Sequence, residues 1–399
     1  MKKILSSILA VLLIFYVLPT NLFGITVSAA TTEFAGGSGT ESDPYLIATK
    51  EHLNNVRNYP DAHYKMIADV VFSEEDFANG GLFYNSARGW KPIGTDDNSF
   101  SGVFDGNGHF IKNLYIKNVG GEFVGLFGHN EGIIQNLGLI NADIYARGQV
   151  GGFIKSTDVY VGIIAGYSNG SILNCFSLGS VRGEAENAGS ISTSNYKAYI
   201  YTGGIVGYIG NSGTVTNCYN NSFVSAYNPL QPNPYTGGIA GGASGTITTS
   251  YNTGNISSGT KCGIVGYLNT LGNSNITNCY YLDNVSKGVG SGTDVCIKCT
   301  AENMTKEETF VGFDFEAVWE LSESNDYKYP TLKSFKKQGD TNGDFVINNK
   351  DCALLIQYTN GWDVQIDVAA ADVNADGKIN NKDYVLLMRY INGWDVELK

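Results

Sequence analysis

Charge is scarce in this sequence. Asp, Glu, Lys and Arg make up 16% of the 399 residues, against roughly 25% in an average globular protein. Low charge combined with 12% aromatic residues excludes an extended, disordered acidic chain. A net charge of −12 without a basic run disfavours nucleic acid or an anionic membrane as the partner. Glycine and tyrosine are abundant instead, at 50 and 25 residues, which favours β-structure with many turns. The length indicates two or three domains.

Long apolar runs are also absent after the first thirty residues. Lys2 and Lys3 precede an apolar run over residues 4–18, Pro19 ends it, and small residues follow at 27–29. This order is typical of a secretory signal peptide, which we predict over residues 1–29. A membrane anchor is the alternative, but the run is shorter than the ~20 residues that a span needs. We therefore expect a soluble protein that acts outside the cell.

The cysteines are few and odd in number. Seven are present, and in an exported protein they could pair, leaving at least one thiol free. Cys296 and Cys299 form a C-x-x-C pair, but no second such pair or pair of histidines accompanies them. A local disulfide or two inert thiols is therefore favoured over a zinc site.

Residues 101–290 repeat one pattern. It consists of glycine, apolar residues, glycine, a turn, and then Asn-Cys-Tyr or a relative of it. Such a repeat predicts a mainly β fold, a right-handed parallel β-helix-like solenoid, with the apolar residues pointing into each coil. Cys175, Cys218 and Cys279 occupy matching positions and should stack as buried hydrophobes, and Cys175 could bond with Cys218. The copies begin at 125–128, 162–166, 204–207, 238–241 and 263–266.

The repeats resemble the GLUG-motif repeats of bacterial surface and secreted proteins, named for Gly-Leu-aromatic-Gly, which residues 125–128 match. Residues 39–47 and 313–332 look like the opening and closing segments of such modules. The resemblance implies an N-terminal cap and lead-in over 30–100 and a C-terminal cap and linker over 291–337. Short capping helices are expected at 51–57 and 301–309, because the open ends of a solenoid expose strand edges. GLUG repeats also flank IgA-protease-like polypeptides, but the catalytic metal motif is absent here.

No catalytic constellation stands out in the repeats. Glycosidases need paired carboxylates, and lyases need clustered acids with a base, whereas the acids here share no repeat position. Asp96 and Asp97 are predicted to lie in a solvated turn, and the four histidines at the surface or in caps. Two hypotheses stay open. The domain is either a non-catalytic module that binds polysaccharide or a surface partner, or a glycoside hydrolase or lyase with a diffuse site.

Two segments after residue 337 carry the sharpest motif. Residues 340–351 and 372–383 place oxygen-bearing side chains at loop positions 1, 3, 5, 9 and 12 and a backbone carbonyl at position 7, the spacing of an EF-hand calcium loop. An apolar pattern at helical spacing follows each loop and ends at Asn-Gly. Phe345 stands at position 6, where the sharp turn prefers glycine, so strain with positive φ is expected. The predicted ligands of two Ca²⁺ ions are Asp340, Asn342, Asp344, Val346, Asn348, Asp351, Asp372, Asn374, Asp376, Lys378, Asn380 and Asp383.

The duplicated unit resembles a type I dockerin, predicted over residues 338–399. The resemblance implies a small all-α calcium-binding domain that binds a cohesin domain of a scaffoldin in a cellulosome-type extracellular assembly. The near-identity of the halves suggests that either could face the cohesin, although Gln357 replaces a basic residue that Arg389 keeps. An autonomous adhesin with calcium-stabilised ends is a further alternative. The implied cohesin contacts are Asn349, Lys350, Gln357, Asn381, Lys382 and Arg389.

Overall fold

The computed structural model describes residues 33–150, 158–187, 199–228, 234–271, 274–321 and 327–399. The signal peptide predicted over residues 1–29 lies outside these ranges. The described chain from Phe34 to Lys399 forms one compact unit. None of its helices is both long and apolar enough to cross a lipid bilayer.

Short strands dominate the described residues. The helices are α1 Lys50–Asn55, α2 Glu74–Phe77, α3 Asn349–Thr359, α4 Val368–Ala371 and α5 Asn381–Ile391, with 3₁₀ turns at Val56–Asn58, Asn85–Ala87, Asn303–Thr305, Glu307–Thr309 and Lys333–Phe335. The strands are β1 Tyr45–Ile47, β2 His63–Met66, β3 Val70–Val71, β4 Val103–Lys112, β5 Tyr115–Val119, β6 Phe123–Val124, β7 Phe127–Asn130, β8 Ile133–Val150, β9 Val159–Gly162, β10 Ala165–Ser168, β11 Ser171–Leu173, β12 Phe176–Asn187, β13 Ile200–Gly203, β14 Val206–Ile209, β15 Thr214–Thr216, β16 Tyr219–Asn220, β17 Phe223–Tyr227, β18 Tyr235–Gly237, β19 Ala240–Ala243, β20 Thr246–Thr248, β21 Tyr251–Asn252, β22 Cys262–Leu268, β23 Asn275–Thr277, β24 Tyr280–Leu282, β25 Lys287–Val289, β26 Ile297–Cys299, β27 Trp319–Glu320 and β28 Thr331–Leu332.

Most strands pair in parallel within two sheets. One sheet has the order β6-β9-β13-β18-β22-β19-β14-β10-β7, and the other has β23-β20-β15-β11-β8-β12-β16-β21-β24-β26 as its main path. The chain visits the sheets in turn, and the strands of each circuit pair with those of the one before, with register shifts in the β4–β8, β8–β12 and β22–β25 pairs. Ala165 of β10, for example, pairs with Phe127 on one side and with Val206 on the other. The mainly β, parallel-stranded prediction is confirmed.

The repeated glycine segments form the interior of this β-domain. The second residue of each tetrad is fully buried: Leu126, Ile163, Ile205, Ile239 and Ile264. A Cβ atom built on Gly166 would lie 2.4 Å from the backbone nitrogen of Val124. These glycines are therefore required because neighbouring backbones approach closely, which only a residue without a side chain permits.

The asparagines that open the Asn-Cys-Tyr segments form a ladder. Asn136, Asn174 and Asn217 have left-handed φ values of 51°, 50° and 53°, a conformation that asparagine tolerates better than most residues. The side-chain amide of Asn174 donates to Asn136 at 3.1 Å, and that of Asn217 donates to Asn174 at 3.1 Å. Each amide both donates and accepts, so stacked copies hold the same corner of successive circuits together.

The cysteines that follow are buried and free. Cys175, Cys218 and Cys279 have no exposed surface, which confirms that they serve as small hydrophobes. No disulfide joins Cys175 to Cys218 or Cys296 to Cys299, so the disulfide alternatives are wrong and these thiols are free. Burial raises the pKa of Cys279 to about 12, which keeps its thiol protonated.

An aromatic column runs along the outside of the β-domain, and the closing segment covers it. Phe176 stacks on Tyr219 at 4.8 Å, and Tyr219 stacks on Tyr251 at 5.2 Å. Trp319 packs on Tyr251 at 5.8 Å, and Phe335 packs on Phe176 at 4.8 Å. Trp319 and Phe335 belong to the predicted C-terminal cap and linker, which was expected only to cover the last circuit. Their contacts show that this part of the chain runs back along the side of the β-domain towards the first circuits.

Of the two expected capping helices, one is an α-helix. Residues 51–57 fall in α1 and the 3₁₀ turn after it, and the Thr49 side chain caps α1 by accepting from the His52 backbone N–H. Residues 301–309 instead form two separate 3₁₀ turns, so the helix expected there is wrong. Lys306, between the turns, has an extended backbone that interrupts the helical path.

Helices α3, α4 and α5 pack around a small core of their own. Its fully buried members include Leu355, Ala371, Val373 and Leu387. Both ends of the C-terminal region are hydrogen-bonded to residues around α4. The Gly339 N–H donates to the Ala370 carbonyl at 2.8 Å, and the Lys399 N–H donates to the Val373 carbonyl at 3.0 Å. The expected all-helical C-terminal domain is confirmed.

Candidate functional site

The first acidic loop folds around Asp340. The Asp340 carboxylate accepts the backbone N–H of Asp344 at 3.1 Å and that of Phe345 at 2.9 Å. The Asn342 side-chain oxygen also accepts the N–H of Asp344, at 2.9 Å. The side chains at loop positions 1 and 3 thus accept hydrogen bonds from the backbone N–H groups at positions 5 and 6.

The second acidic loop repeats this pattern around Asp372. Its carboxylate accepts the N–H of Asp376 at 3.1 Å and that of Gly377 at 2.8 Å. The Asn374 side chain accepts the N–H of Asp376 at 2.8 Å. The two loops therefore share one conformation, as their matching ligand spacing predicts.

Positions 4 and 6 of both loops have a left-handed backbone. The φ values are 67° at Gly343 and 63° at Phe345 in the first loop, and 54° at Ala375 and 78° at Gly377 in the second. The positive φ expected for Phe345 is confirmed. Each loop thus has one glycine and one strained L-residue at these two turns, in opposite order.

Each loop ends as a helix cap. Asn348 caps α3 and forms a reciprocal capping box with Asp351, and Asn380 and Asp383 do the same at α5. Positions 9 and 12 therefore serve the helix as well as the loop, so an ion bound there would act directly on the helix start.

The position 12 carboxylates differ in one respect. Asp351 Oδ1 accepts the N–H of Thr341 at 2.9 Å and that of Asn342 at 3.2 Å. Asp383 is fully buried, and its Oδ1 atom has no hydrogen-bond partner. A buried, unpaired carboxylate oxygen is costly, and a cation bound in the second loop would satisfy it.

Carboxylates crowd together in the first loop as well. Burial, and then the nearby carboxylate of Asp351, raise the pKa of Asp340 to about 7. Like charges this close favour protonation unless a cation lies between them. The loop is therefore electrostatically suited to a divalent ion.

The donor set fits calcium. It combines carboxylates, Asn amides and the carbonyls of Val346 and Lys378, all of them the hard oxygen donors that Ca²⁺ prefers. Among the described residues, no three His, Cys, Asp or Glu side chains converge enough to hold a metal by themselves. The amides and carbonyls are thus needed to complete each site, and the zinc alternative at Cys296 and Cys299 gains no support.

The six residues proposed to contact a cohesin lie beside the helix starts and on the helices. Lys350 and Lys382 are largely exposed, and their ammonium groups lie 3.3 Å and 3.9 Å from the position 5 carboxylates of their own loops. Asn349 and Asn381 are exposed, and Gln357 is half-buried. The guanidinium of the exposed Arg389 lies 5.4 Å from the ring centroid of Trp394.

Sequence reasoning missed exposed apolar residues on α5 and just after it. Val385 and Met388 are each 38% exposed, and Trp394 is 61% exposed. Val385 also lines a groove of about 590 Å³, together with Asn381, Lys382 and Arg389 among others. The sequence did contain a signal for this surface, because these apolar residues lie outside the side of the helix that faces the core.

One histidine of the β-domain lies in a cluster that the sequence did not suggest. His129 is buried, with Nε2 at 3.0 Å from Glu131 and Nδ1 at 3.3 Å from Asp96. The sequence predicted a surface or capping position for this histidine, but it is buried on β7 because Ile93 and Phe100 pair with β7, which brings their loop over the sheet. Asp96 itself is largely exposed, as predicted.

The tyrosine-rich surface is mostly stacked on itself. Tyr160 stacks on Tyr201 at 5.2 Å, and Tyr201 stacks on Tyr235 at 5.1 Å. A second column, Tyr167 on Tyr208, meets Tyr160 edge to face. The neighbours occupy the ring faces, so this surface offers ring edges and hydroxyl groups more than open faces.

Comparison with known families identifies the C-terminal region. Residues 338–392 match the model of the dockerin type I domain. The helical region is therefore a type I dockerin, a class of domain that binds calcium and implies a cohesin partner.

The chain is also similar to parts of larger proteins. A protein of Evansella cellulosilytica, provisionally named a Gly-rich membrane protein, is 37% identical over 124 residues, which cover 30% of this chain and 14% of that protein. Halomucin of Haloquadratum walsbyi is 34% identical over 170 residues, which cover 41% of this chain and 2% of that protein. The chain thus spans a small part of the length of these relatives.

A solved structure shares the fold. A Bacteroides ovatus protein provisionally identified as an immunoglobulin A1 protease aligns with a TM-score of 0.53 and 21% identity. The alignment covers 77% of this chain and 97% of that one. At this identity the likeness shows a common β-rich fold and nothing about activity.

Proposed function

We propose that this chain is an extracellular component of a cellulosome-type assembly, in which its dockerin binds a cohesin domain of a scaffoldin in a calcium-dependent way. The observation that carries the proposal is the pair of loops with matching hydrogen bonds, each of which ends as the cap of a helix. Two Ca²⁺ ions held by the twelve predicted ligands would order both loops and so fix the exposed residues of α3 and α5. Residues 1–29 would direct export as a signal peptide and would then be removed.

For the β-domain we propose a right-handed parallel β-helix of GLUG-type repeats that binds polysaccharide or a surface partner. Its N-terminal cap and lead-in would cover residues 30–100, its repeats 101–290 and its C-terminal cap and linker 291–337, ahead of the dockerin at 338–399. The parallel circuits support this architecture. The row of tyrosine edges supports binding to a polymer that is rich in hydroxyl groups.

Calcium removal should abolish cohesin binding. We expect the full chain to bind one or more members of a panel of type I cohesin domains in calcium, with at least 100-fold weaker binding in excess chelator, because the apo loops lose the cation that offsets their carboxylate repulsion. Calorimetry in both buffers measures the change. An Asp395→Asn variant, outside both loops, is the matched control and should keep its affinity. Equal binding in chelator would refute the proposal.

Removing tyrosine hydroxyls should weaken glycan binding. We expect a glycan array probed with the full chain to give signals for plant polysaccharides that fall at least fivefold in a Tyr160→Phe, Tyr235→Phe double variant, because the stack stays intact while its polar edge is lost. Tyr219→Phe is the matched control, since that hydroxyl is fully buried and unpartnered. An equal loss in the control, or no glycan signal at all, would contradict the binding role.

A further inference from the structure

The first calcium loop touches the β-domain through Phe345. The Phe345 ring centroid lies 5.3 Å from that of Phe176 and 5.5 Å from that of Phe110, and only 8% of the residue is exposed. The ammonium of Lys112 on β4 donates to the Phe345 carbonyl at 3.3 Å. The loop is thus held to the β-domain both by its ring and by its backbone.

The linker just before the loop is fixed at the same place. Lys337 Nζ lies 2.7 Å and 2.8 Å from the two carboxylate oxygens of Asp69 and 4.2 Å from the Phe110 ring centroid. Burial alone would raise the pKa of Asp69, but hydrogen bonds from His109 and Lys337 outweigh it and hold that pKa well below its usual range. The ion pair is therefore a specific contact between the linker and the lead-in region.

The second loop has no such contact at its matching position. Gly377 is exposed, and a Cβ atom placed on it would meet nothing within 4 Å. Asp340 and Asn342 are 5% and 8% exposed, whereas Asp372 and Asn374 at the same loop positions are only half-buried. The two halves of the dockerin are alike in fold but differ in their surroundings.

The backbone conformation at loop position 6 does not explain why the first loop has phenylalanine there. A φ of 63° is unfavourable for Phe345 and suits the glycine that the second loop has there. The stabilisation that offsets this strain is burial against Phe110 and Phe176.

We propose that Phe345 anchors the first calcium loop to the β-domain. This half of the dockerin is then an internal docking element, and the second loop with α5 is the half presented to an external partner. The 590 Å³ groove that the exposed Val385 and Arg389 help to line is the surface offered to that partner. The assignment of the partner as a cohesin rests on the proposed function, whereas the internal docking does not.

Hydrogen exchange of the full chain in saturating calcium tests the docking. Phe345→Gly removes the ring and also the strain, and we expect the backbone amides of residues 336–345 to exchange at least tenfold faster than in the unmodified chain. Gly377→Phe adds the same ring at the same position of the free loop and should leave exchange at 336–345 as it is in the unmodified chain. Unchanged or slower exchange in Phe345→Gly would overturn the anchor.

Small-angle scattering of the unmodified chain gives a second measurement that needs no variant. A docked dockerin predicts one compact particle, whereas a dockerin swinging about residues 336–339 would give an enlarged radius of gyration and overturn the proposal.

Cohesin affinity tests which half is presented. We expect Lys382→Ala with Arg389→Ala to lower the affinity at least tenfold more than Lys350→Ala with Gln357→Ala. In the Phe345→Gly background this difference should shrink, because the first half becomes accessible. Equal losses in the original background would refute the assignment of the second half while leaving cohesin binding intact. An absence of binding in every variant would instead refute the proposed function, with hydrogen exchange still deciding the docking.

Discussion

Gly207→Ala is expected to destabilise the β-domain by about 3 kcal/mol, at the upper end of the usual cost of overpacking a core. A Cβ atom on Gly207 would lie 2.4 Å from the Gly166 carbonyl oxygen and 2.4 Å from the Val161 backbone nitrogen. Both are backbone atoms of the neighbouring circuit, so no side chain can rotate away to make room. The parallel pairing on either side of this position has to shift instead.

Thermal melting followed by circular dichroism measures this effect. For a large domain, 3 kcal/mol corresponds to roughly 6 to 12 °C in melting temperature. Ser212→Ala is the matched control, because Ser212 is exposed in the turn that follows β14, and surface changes of this kind usually stay within ~0.5 kcal/mol. If Gly207→Ala had the same melting temperature as the control, the inferred close approach of the two backbones at Gly207 would be refuted.

Asp383→Asn should weaken calcium binding by the second loop about 100-fold, which corresponds to about 2.8 kcal/mol. The change removes a charge from a predicted ligand while its size stays the same, and charge count is one of the main determinants of EF-hand affinity. The buried Oδ1 atom has no partner in the protein, so the substitution breaks no hydrogen bond of that oxygen. The apo fold should therefore keep its stability.

Chelator competition on the full chain measures both sites. Asp395→Asn serves again as the control, since it removes the same charge outside the loops. Asp351→Asn in the first loop is a useful comparison, because both of its carboxylate oxygens accept backbone N–H groups, Oδ1 from Thr341 and Asn342 and Oδ2 from Asn348. An amide keeps only one of these acceptor oxygens, so the variant should lose apo stability as well as affinity. Unaltered affinity in Asp383→Asn would mean that position 12 does not ligate the ion.

Several features could be predicted because neighbouring residues encode them. The glycine tetrads predicted the parallel circuits, and the oxygen spacing predicted two loops that fold alike around Asp340 and Asp372. The positive φ of Phe345 followed from its place in the loop. Each of these features depends on a short segment whose conformation follows from its own residues. The segment is repeated along the chain, and the repetition makes the pattern recognisable.

Other features could not be predicted, because they depend on contacts between distant segments. His129 is buried because a loop from residues 93–100 crosses the sheet. The aromatic column needs a cover, but nothing in its sequence says that residues within 299–321 and 327–345 supply it. The expected helix at 301–309 is also wrong, because the extended backbone of Lys306 separates two 3₁₀ turns.

The sequence by itself determined the repeating β-structure, the buried thiols and the two calcium-type loops, because periodic spacing records which residues share a face or a turn. Only the tertiary structure decided that the closing segment returns along the flank and that Phe345 meets Phe110 and Phe176. These rings lie far apart in the chain, and the choice among many aromatic partners is made by the shape of the folded surface. The difference between the two near-identical dockerin halves therefore lies in their surroundings more than in their own sequences.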